Sequence, residues 1–251
     1  MKTDYAEFLK TKVKTRQLSG FEVSDEQLNA AMFPFQKYIV KRALLAGKYA
    51  IFADCGLGKT LMQLEWAEQV TKHTGKRVLI LAPLAVRGQT LAEGGRFGID
   101  MSLIDVQNYE QIDNIDFEQY AGIVLDESSI LKNFTGVYKR KIIENFGNTR
   151  FKLACTATPA PNDLNEIGNH SEFLDVMDSA DMRMRWFVRD EEMNNYRLKG
   201  HAEQDFYGWI SSWSSVLRSP SDLGFDSRGY DLPALHFETL EISTGKKDNG
   251  K

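Results

Sequence analysis

Tyr49-Ala50-Ile51-Phe52-Ala53-Asp54-Cys55-Gly56-Leu57-Gly58-Lys59-Thr60 is the stretch from which the rest of the chain can be read. Its first five residues are apolar without alternation, as expected of a strand covered on both faces. Two glycines, one residue apart, then lead into Lys-Thr. From Lys59 to His73 apolar residues recur at helical spacing, and Gly75 supplies a C-terminal stop. Strand, glycine-rich turn and helix in this order are the setting of a phosphate-binding loop. Glycines let the backbone N–H groups from Gly56 to Thr60 turn inward, and the helix adds its positive dipole end. In that arrangement Lys59 reaches the outer phosphates and the Thr60 hydroxyl binds a magnesium ion.

A second strand signal, Gly122-Ile123-Val124-Leu125, runs straight into Asp126-Glu127-Ser128-Ser129. A buried strand that ends in two carboxylates puts both at the carboxyl edge of a parallel sheet, where open α/β sheets bind ligands. Asp126 is suited to hold the magnesium and Glu127 to orient and polarise an attacking water. An apolar run ending in Asp-Glu also describes a surface loop; the loop at Lys59 favours the functional reading. A third strand, Phe151 to Cys155, ends in Thr156-Ala157-Thr158-Pro159, where Thr156 and Thr158 can couple the nucleotide site to a moving surface. Val78 to Ala82 is a further strand, closed by Pro83, and Met101 to Val106 a possible fifth. Phe35 to Ala46 is a helix that stops at Gly47. Strands alternating with helices define an α/β doubly wound domain over about residues 30–165.

Together these motifs resemble a superfamily 2 helicase, and most of all the Swi/Snf-like ATPases of the phage and prophage type. Asp126 to Ser129, with the following Ile130-Leu131-Lys132-Asn133, resembles that group's acidic box, although Ser128 and Ser129 stand where the group has Ala and then His or Gln. Phe33-Pro34-Phe35-Gln36 is similar to the upstream element whose glutamine recognises adenine, which implies ATP as the nucleotide and Gln36 as its reader. Ala53 stands at the loop's first position, where helicase-type loops accept alanine. Thr158 to Asp163 and Arg197 to Ala202 carry the likeness to the phage type. The resemblance implies a RecA-like P-loop NTPase lobe with a mainly parallel sheet and a mostly helical C-terminal extension. It implies ATP bound through Gln36 and Asp54-Cys55-Gly56-Leu57-Gly58-Lys59-Thr60, and Mg2+ held by Thr60 and Asp126. Lys59, Asp126 and Glu127 would be catalytic. The segments Ala82-Pro83-Leu84-Ala85-Val86 and Asn108-Tyr109-Glu110 resemble elements that lie along a nucleic-acid backbone. Pro83, Leu84, Asn108 and Tyr109 in these segments, and Lys132 after the acidic box, are therefore candidate nucleic-acid contacts, with DNA favoured over RNA.

Such motors use two RecA-like lobes, and no second strand–helix series or Arg-rich motif follows residue 165. The expectation is a fragment whose second lobe lies in cis, or a chain whose second lobe is another polypeptide; a stand-alone ATP-binding regulatory module is the alternative. The expected organisation is an N-terminal extension at 1–29, the lobe at 30–165, a helical insertion at 166–240 and a polar tail at 241–251.

The bulk composition restricts the remaining classes. Of 251 residues, 42% are hydrophobic and 26% charged, with a formal net charge of -4. The chain can bury a core, and contact with a polyanion needs a local basic surface. Lys132, Lys139, Arg140 and Lys141 are one candidate surface, Lys2, Lys10, Lys12, Lys14 and Arg16 another; a solvated helix face accounts equally well for the first set and better for the second. No apolar run is long enough to span a bilayer, and the N-terminus lacks a signal-peptide core. Cys55 and Cys155 form neither a disulfide framework nor a zinc pattern, which fits a reducing cytoplasm. Trp186, Trp209 and Trp213 can stack on bases, but helix packing suits them better.

Overall fold

A computed structural model describes residues 18–132, 137–190, 195–230 and 238. The extension residues Lys2 to Arg16 and the tail at 241–251 lie outside the described residues.

Six strands form one sheet: β1 (Lys48–Ala53), β2 (Arg77–Ala82), β3 (Ile104–Asn108), β4 (Tyr120–Asp126), β5 (Phe151–Thr156) and β8 (Ser214–Leu217). Their order is β3-β2-β4-β5-β1-β8, and every pairing is parallel. A separate antiparallel hairpin joins β6 (Phe187–Asp190) to β7 (Asn195–Leu198). The helices are α1 (Pro34–Ala46), α2 (Lys59–Thr74), α3 (Leu84–Phe97), α4 (Val137–Asn145), α5 (Ile167–Phe173), α6 (Ser179–Trp186) and α7 (Glu203–Trp213).

The unalternating apolar strands are explained by two cores, one on each face. Ile51, Val78, Ile80, Val124, Leu153 and Cys155 face α1 and α2. Their strand neighbours Ala50, Phe52, Leu79, Leu81, Ile123 and Leu125 face the other way, onto Ile142 and Phe146, Ile167 and Phe173, Met182 and Trp186, and Phe206 and Trp213. A side chain such as Phe146 or Phe206 contributes about 1.5–3 kcal/mol by this burial. Trp186 and Trp213 belong to the core, as helix packing requires, and Trp209 packs against both, tilted to Trp186 and edge-on to Trp213.

Three details depart from the sequence reading. The third strand starts at Ile104, because Met101–Leu103 form a 3-10 turn capped by Asp100. Within 166–240, Ser214–Leu217 is a sheet strand beside β1, so the sheet extends past residue 165. Lys139 does not belong to an exposed basic face. It is buried, with its Nζ 2.9 Å from Asn169 Oδ1 and 2.8 Å from Glu172 Oε2. Burial alone would push Glu172 up, but hydrogen bonds from Lys139 and Ser179 hold it below the usual carboxylate range.

Candidate nucleotide site at the carboxyl edge of the sheet

Because all six strands run the same way, the ends of β1, β2, β3, β4 and β5 share one edge. β5 lies between β1 and β4, with Cys155 paired to both Ile51 and Asp126. The register therefore sets the glycine loop, the threonine turn and the acidic pair side by side.

The loop bends as its glycines permit. Gly56 and Gly58 have φ of 84° and 74°. At Gly58 space adds to conformation, because a Cβ would lie 2.3 Å from Gln36 Nε2. Gln36 is the reason for that crowding. Its Oε1 accepts from the Phe33 N–H at 2.9 Å, closing the cap of α1, and its Nε2 donates to Leu57 O at 3.0 Å. The residue expected to read adenine is thus a buried clamp between α1 and the glycine loop, and among the described residues one N–H and one lone pair of its amide remain beyond these two bonds. Asp54 Oδ1 accepts from Cys55 N, and Asp54 N donates to Leu217 O at 3.0 Å, so β8 steadies the start of the loop. Lys59 Nζ lies over the loop, donating to Ala53 O at 2.9 Å and Asp54 O at 3.2 Å. Thr60 follows, half-buried, in the first turn of α2.

Asp126 is buried at the end of β4. Gln63 Nε2 donates to its Oδ1 at 2.7 Å, and Tyr109 Oη donates to its backbone O, also at 2.7 Å. Burial raises the Asp126 carboxyl above its usual range, against the pull of Gln63 and Lys59. Glu127 takes a left-handed backbone, φ 52°, which is rare for a residue with a Cβ. Such conformations cost on the order of 1–3 kcal/mol and cluster at functional sites. The turn swings the Glu127 carboxylate to β5, where Thr156 Oγ1 donates to Oε2 at 3.1 Å. Thr156 Oγ1 in turn accepts from Thr158 N at 3.1 Å. Acidic pair and threonine turn are joined by this chain.

Of the candidate nucleic-acid residues, Leu84 and Lys132 are exposed and Pro83 half-buried. Asn108 is itself buried, and its Oδ1 caps a 3-10 turn by accepting from Gln111 N. Tyr109 is not an external contact: its ring is buried and its hydroxyl is spent on Asp126. Desolvation pushes that hydroxyl well above the usual tyrosine range. Gln63, Tyr109 as a support of Asp126, and Leu217 as a support of the loop escaped the sequence reading. Only Gln63 had a local signal, a polar side chain one helical turn beyond Lys59 and Thr60.

A hydroxyl and a buried carboxylate form a donor set suited to magnesium, which is usually held by one or two carboxylates together with substrate phosphates and water. Among the described residues, no cluster of three His, Cys, Asp or Glu forms a self-sufficient metal cage.

The fold is that of a RecA-like helicase lobe. It is similar to the Sulfolobus solfataricus SWI2/SNF2 ATPase core in complex with dsDNA, with TM-score 0.63 and 18% identity over 79% of this chain and 47% of that one. The Sulfolobus solfataricus SWI2/SNF2 ATPase core domain gives TM-score 0.62 and 18% identity over 82% and 46%. The UvsW helicase from bacteriophage T4 gives 0.50 and 16% over 69% and 66%. The chain thus spans about half the length of the two SWI2/SNF2 structures. No protein-family model matches the sequence, and no curated protein matches it. Among the described residues, no helix is long and apolar enough to cross a membrane.

Proposed function

We propose that this chain is the ATP-binding lobe of an ATP-dependent DNA translocase or helicase of the phage or prophage Swi/Snf-like type, acting in the cytoplasm. The observation that carries the reading is the convergence at one sheet edge of the Gly56–Thr60 loop, Asp126 and a conformationally strained Glu127 tied to Thr156. The loop N–H groups and Lys59 bind phosphate, and Gln36, whose amide braces the loop at Leu57 O, is the proposed reader of adenine. Thr60 and Asp126 would hold Mg2+, which supplies charge to the phosphates. Glu127 orients the water and takes its proton. Thr156 holds the Glu127 carboxylate and passes its position to the Thr158–Pro159 turn. DNA as the track is supported by the dsDNA-bound SWI2/SNF2 core of similar fold. Pro83, Leu84 and Lys132, at the same edge, are the proposed contacts, and the buried Asn108 shapes the turn beside them. A second RecA-like lobe, in cis or in trans, would close over the nucleotide and supply an arginine, an effect that can contribute about 10³–10⁵ in rate.

The test is phosphate release with and without DNA, by these 251 residues alone and with a second lobe supplied. Turnover is expected to be very slow alone and DNA-stimulated with the second lobe. Glu127→Gln keeps the shape but not the basicity, so it should retain ATP binding and abolish turnover in the complete motor. Wild-type turnover by that variant would remove Glu127 from its role.

A further inference from the structure

The buried carboxylate Asp126 has a neutral hydrogen-bond donor. An arginine or lysine in that place would cancel the charge of Asp126; the Gln63 amide orients it and leaves the charge intact. The contact is short, 2.7 Å from Nε2 to Oδ1, and both side chains are buried. Rotating the amide by half a turn would set oxygen against carboxylate, so the electrostatics fix which end faces Asp126. The other end, Gln63 Oε1, is buried and has no hydrogen-bond partner among the described residues. A buried acceptor without a donor is destabilising, and proteins retain one where a ligand or ordered water completes the bond. Gln63 lies one turn along α2 from Thr60 and four residues from Lys59, on the helix face that carries both.

We propose that Gln63 is a positioning residue for magnesium: its Nε2 fixes the Asp126 carboxylate, and its Oε1 accepts a hydrogen bond from a water in the magnesium shell. The inference rests on the ATP–magnesium reading of the same site. Supports of this kind commonly change metal affinity by about 10–100-fold, and a glutamine does so without contributing charge.

The experiment titrates a fluorescent ATP analogue into wild type, Gln63→Met and Gln63→Leu, each with Mg2+ and with EDTA. Mn2+ binding followed by electron paramagnetic resonance in the presence of ADP gives a direct metal readout. Met keeps the length of the side chain and removes both amide atoms; Leu serves if the Met variant fails to fold, as judged by circular dichroism. We expect the affinity in EDTA to stay within about twofold and the gain produced by Mg2+ to fall about tenfold or more, with Mn2+ affinity falling in parallel. A folded variant that keeps the wild-type gain overturns the inference. So does equal loss with and without metal, which marks Gln63 as structural. No binding by wild type under either condition would overturn the nucleotide reading itself, and with it the inference.

Discussion

Among the described residues, two without the freedom of glycine have a left-handed backbone, Glu127 at φ 52° and Asp175 at φ 53°, and they lie at opposite edges of the sheet. Both are acids beside buried polar groups, yet their surroundings differ in kind. At the amino edge Asp175 joins two cations: Lys48, and the buried Lys152, whose Nζ is 2.7 Å from Asp175 Oδ2 and 3.0 Å from Phe173 O. Nearby Arg77 and Tyr120 both bind Asp105. Charge there is matched by charge. At the carboxyl edge, among the described residues, Asp126 has a neutral amide and backbone to bind its carboxylate, and Lys59 is held by the carbonyls of Ala53 and Asp54. One edge spends its electrostatics on holding the fold; the other keeps a net charge and a cation poised for something else.

Lys59→Ala should have the largest effect, and on the carboxyl edge alone. Charge-assisted bonds from an ammonium to phosphate contribute about 1.5–3 kcal/mol each, so affinity for a fluorescent ATP analogue should fall about 10- to 100-fold. The melting temperature should hardly move, because the half-buried Lys59 bonds, among the described residues, to the backbone carbonyls of Ala53 and Asp54 and to no buried carboxylate. Equal affinity for variant and wild type would remove the loop from the site.

At the amino edge the expectation reverses. Asp175→Asn keeps a residue that tolerates the left-handed backbone and removes only the charge, leaving Lys152 buried without an anion. Breaking a buried pair in this way costs a few kcal/mol; with Asp175 partly exposed and its hydrogen bond retained, about 2 kcal/mol is expected. In a protein of this size that is a loss of about 4–8 °C in Tm. Nucleotide affinity should not change. A nucleotide phenotype without destabilisation would mean that the two edges are coupled.

How much of this was legible in the sequence follows from the same contrast. Strand–loop–helix units were legible because continuous apolar runs and glycines are local signals. The acidic pair was legible because it ends such a run. Ser214–Leu217 was not, because an edge strand of Ser-Ser-Val-Leu carries no apolar run and is recruited by backbone bonds to β1. Lys139 reads as a solvated charge until Asn169 and Glu172 of α5 are brought against it. Gln63 reads as the polar face of α2, a helix that in fact has its middle turns buried on all sides. Each miss is settled by a partner that lies far along the chain.

The smallest effect is the most diagnostic. Asp126→Asn should raise Tm at neutral pH while abolishing the magnesium-dependent part of nucleotide affinity. Burial raises the folded-state pKa of Asp126 above 3.8. Between 3.8 and that raised value the native protein binds more protons than the unfolded chain, so stability is lost as pH rises through the folded pKa. At neutral pH the ionised carboxylate is therefore a burden, which Asn removes while still accepting from Gln63. Each kcal/mol recovered appears as about 2–4 °C. Asp105 gives the control of opposite sign. Hydrogen bonds from Arg77 lower its pKa despite burial, so its contribution is present above 3.8 and is lost as pH falls through the folded value. Thermal melts from pH 3 to 8 should show the advantage of Asp126→Asn growing with pH, and Asp105→Asn becoming more harmful over the same rise. If Asp126→Asn instead lowered Tm at pH 7, Asp126 would belong with Asp175 as a structural acid.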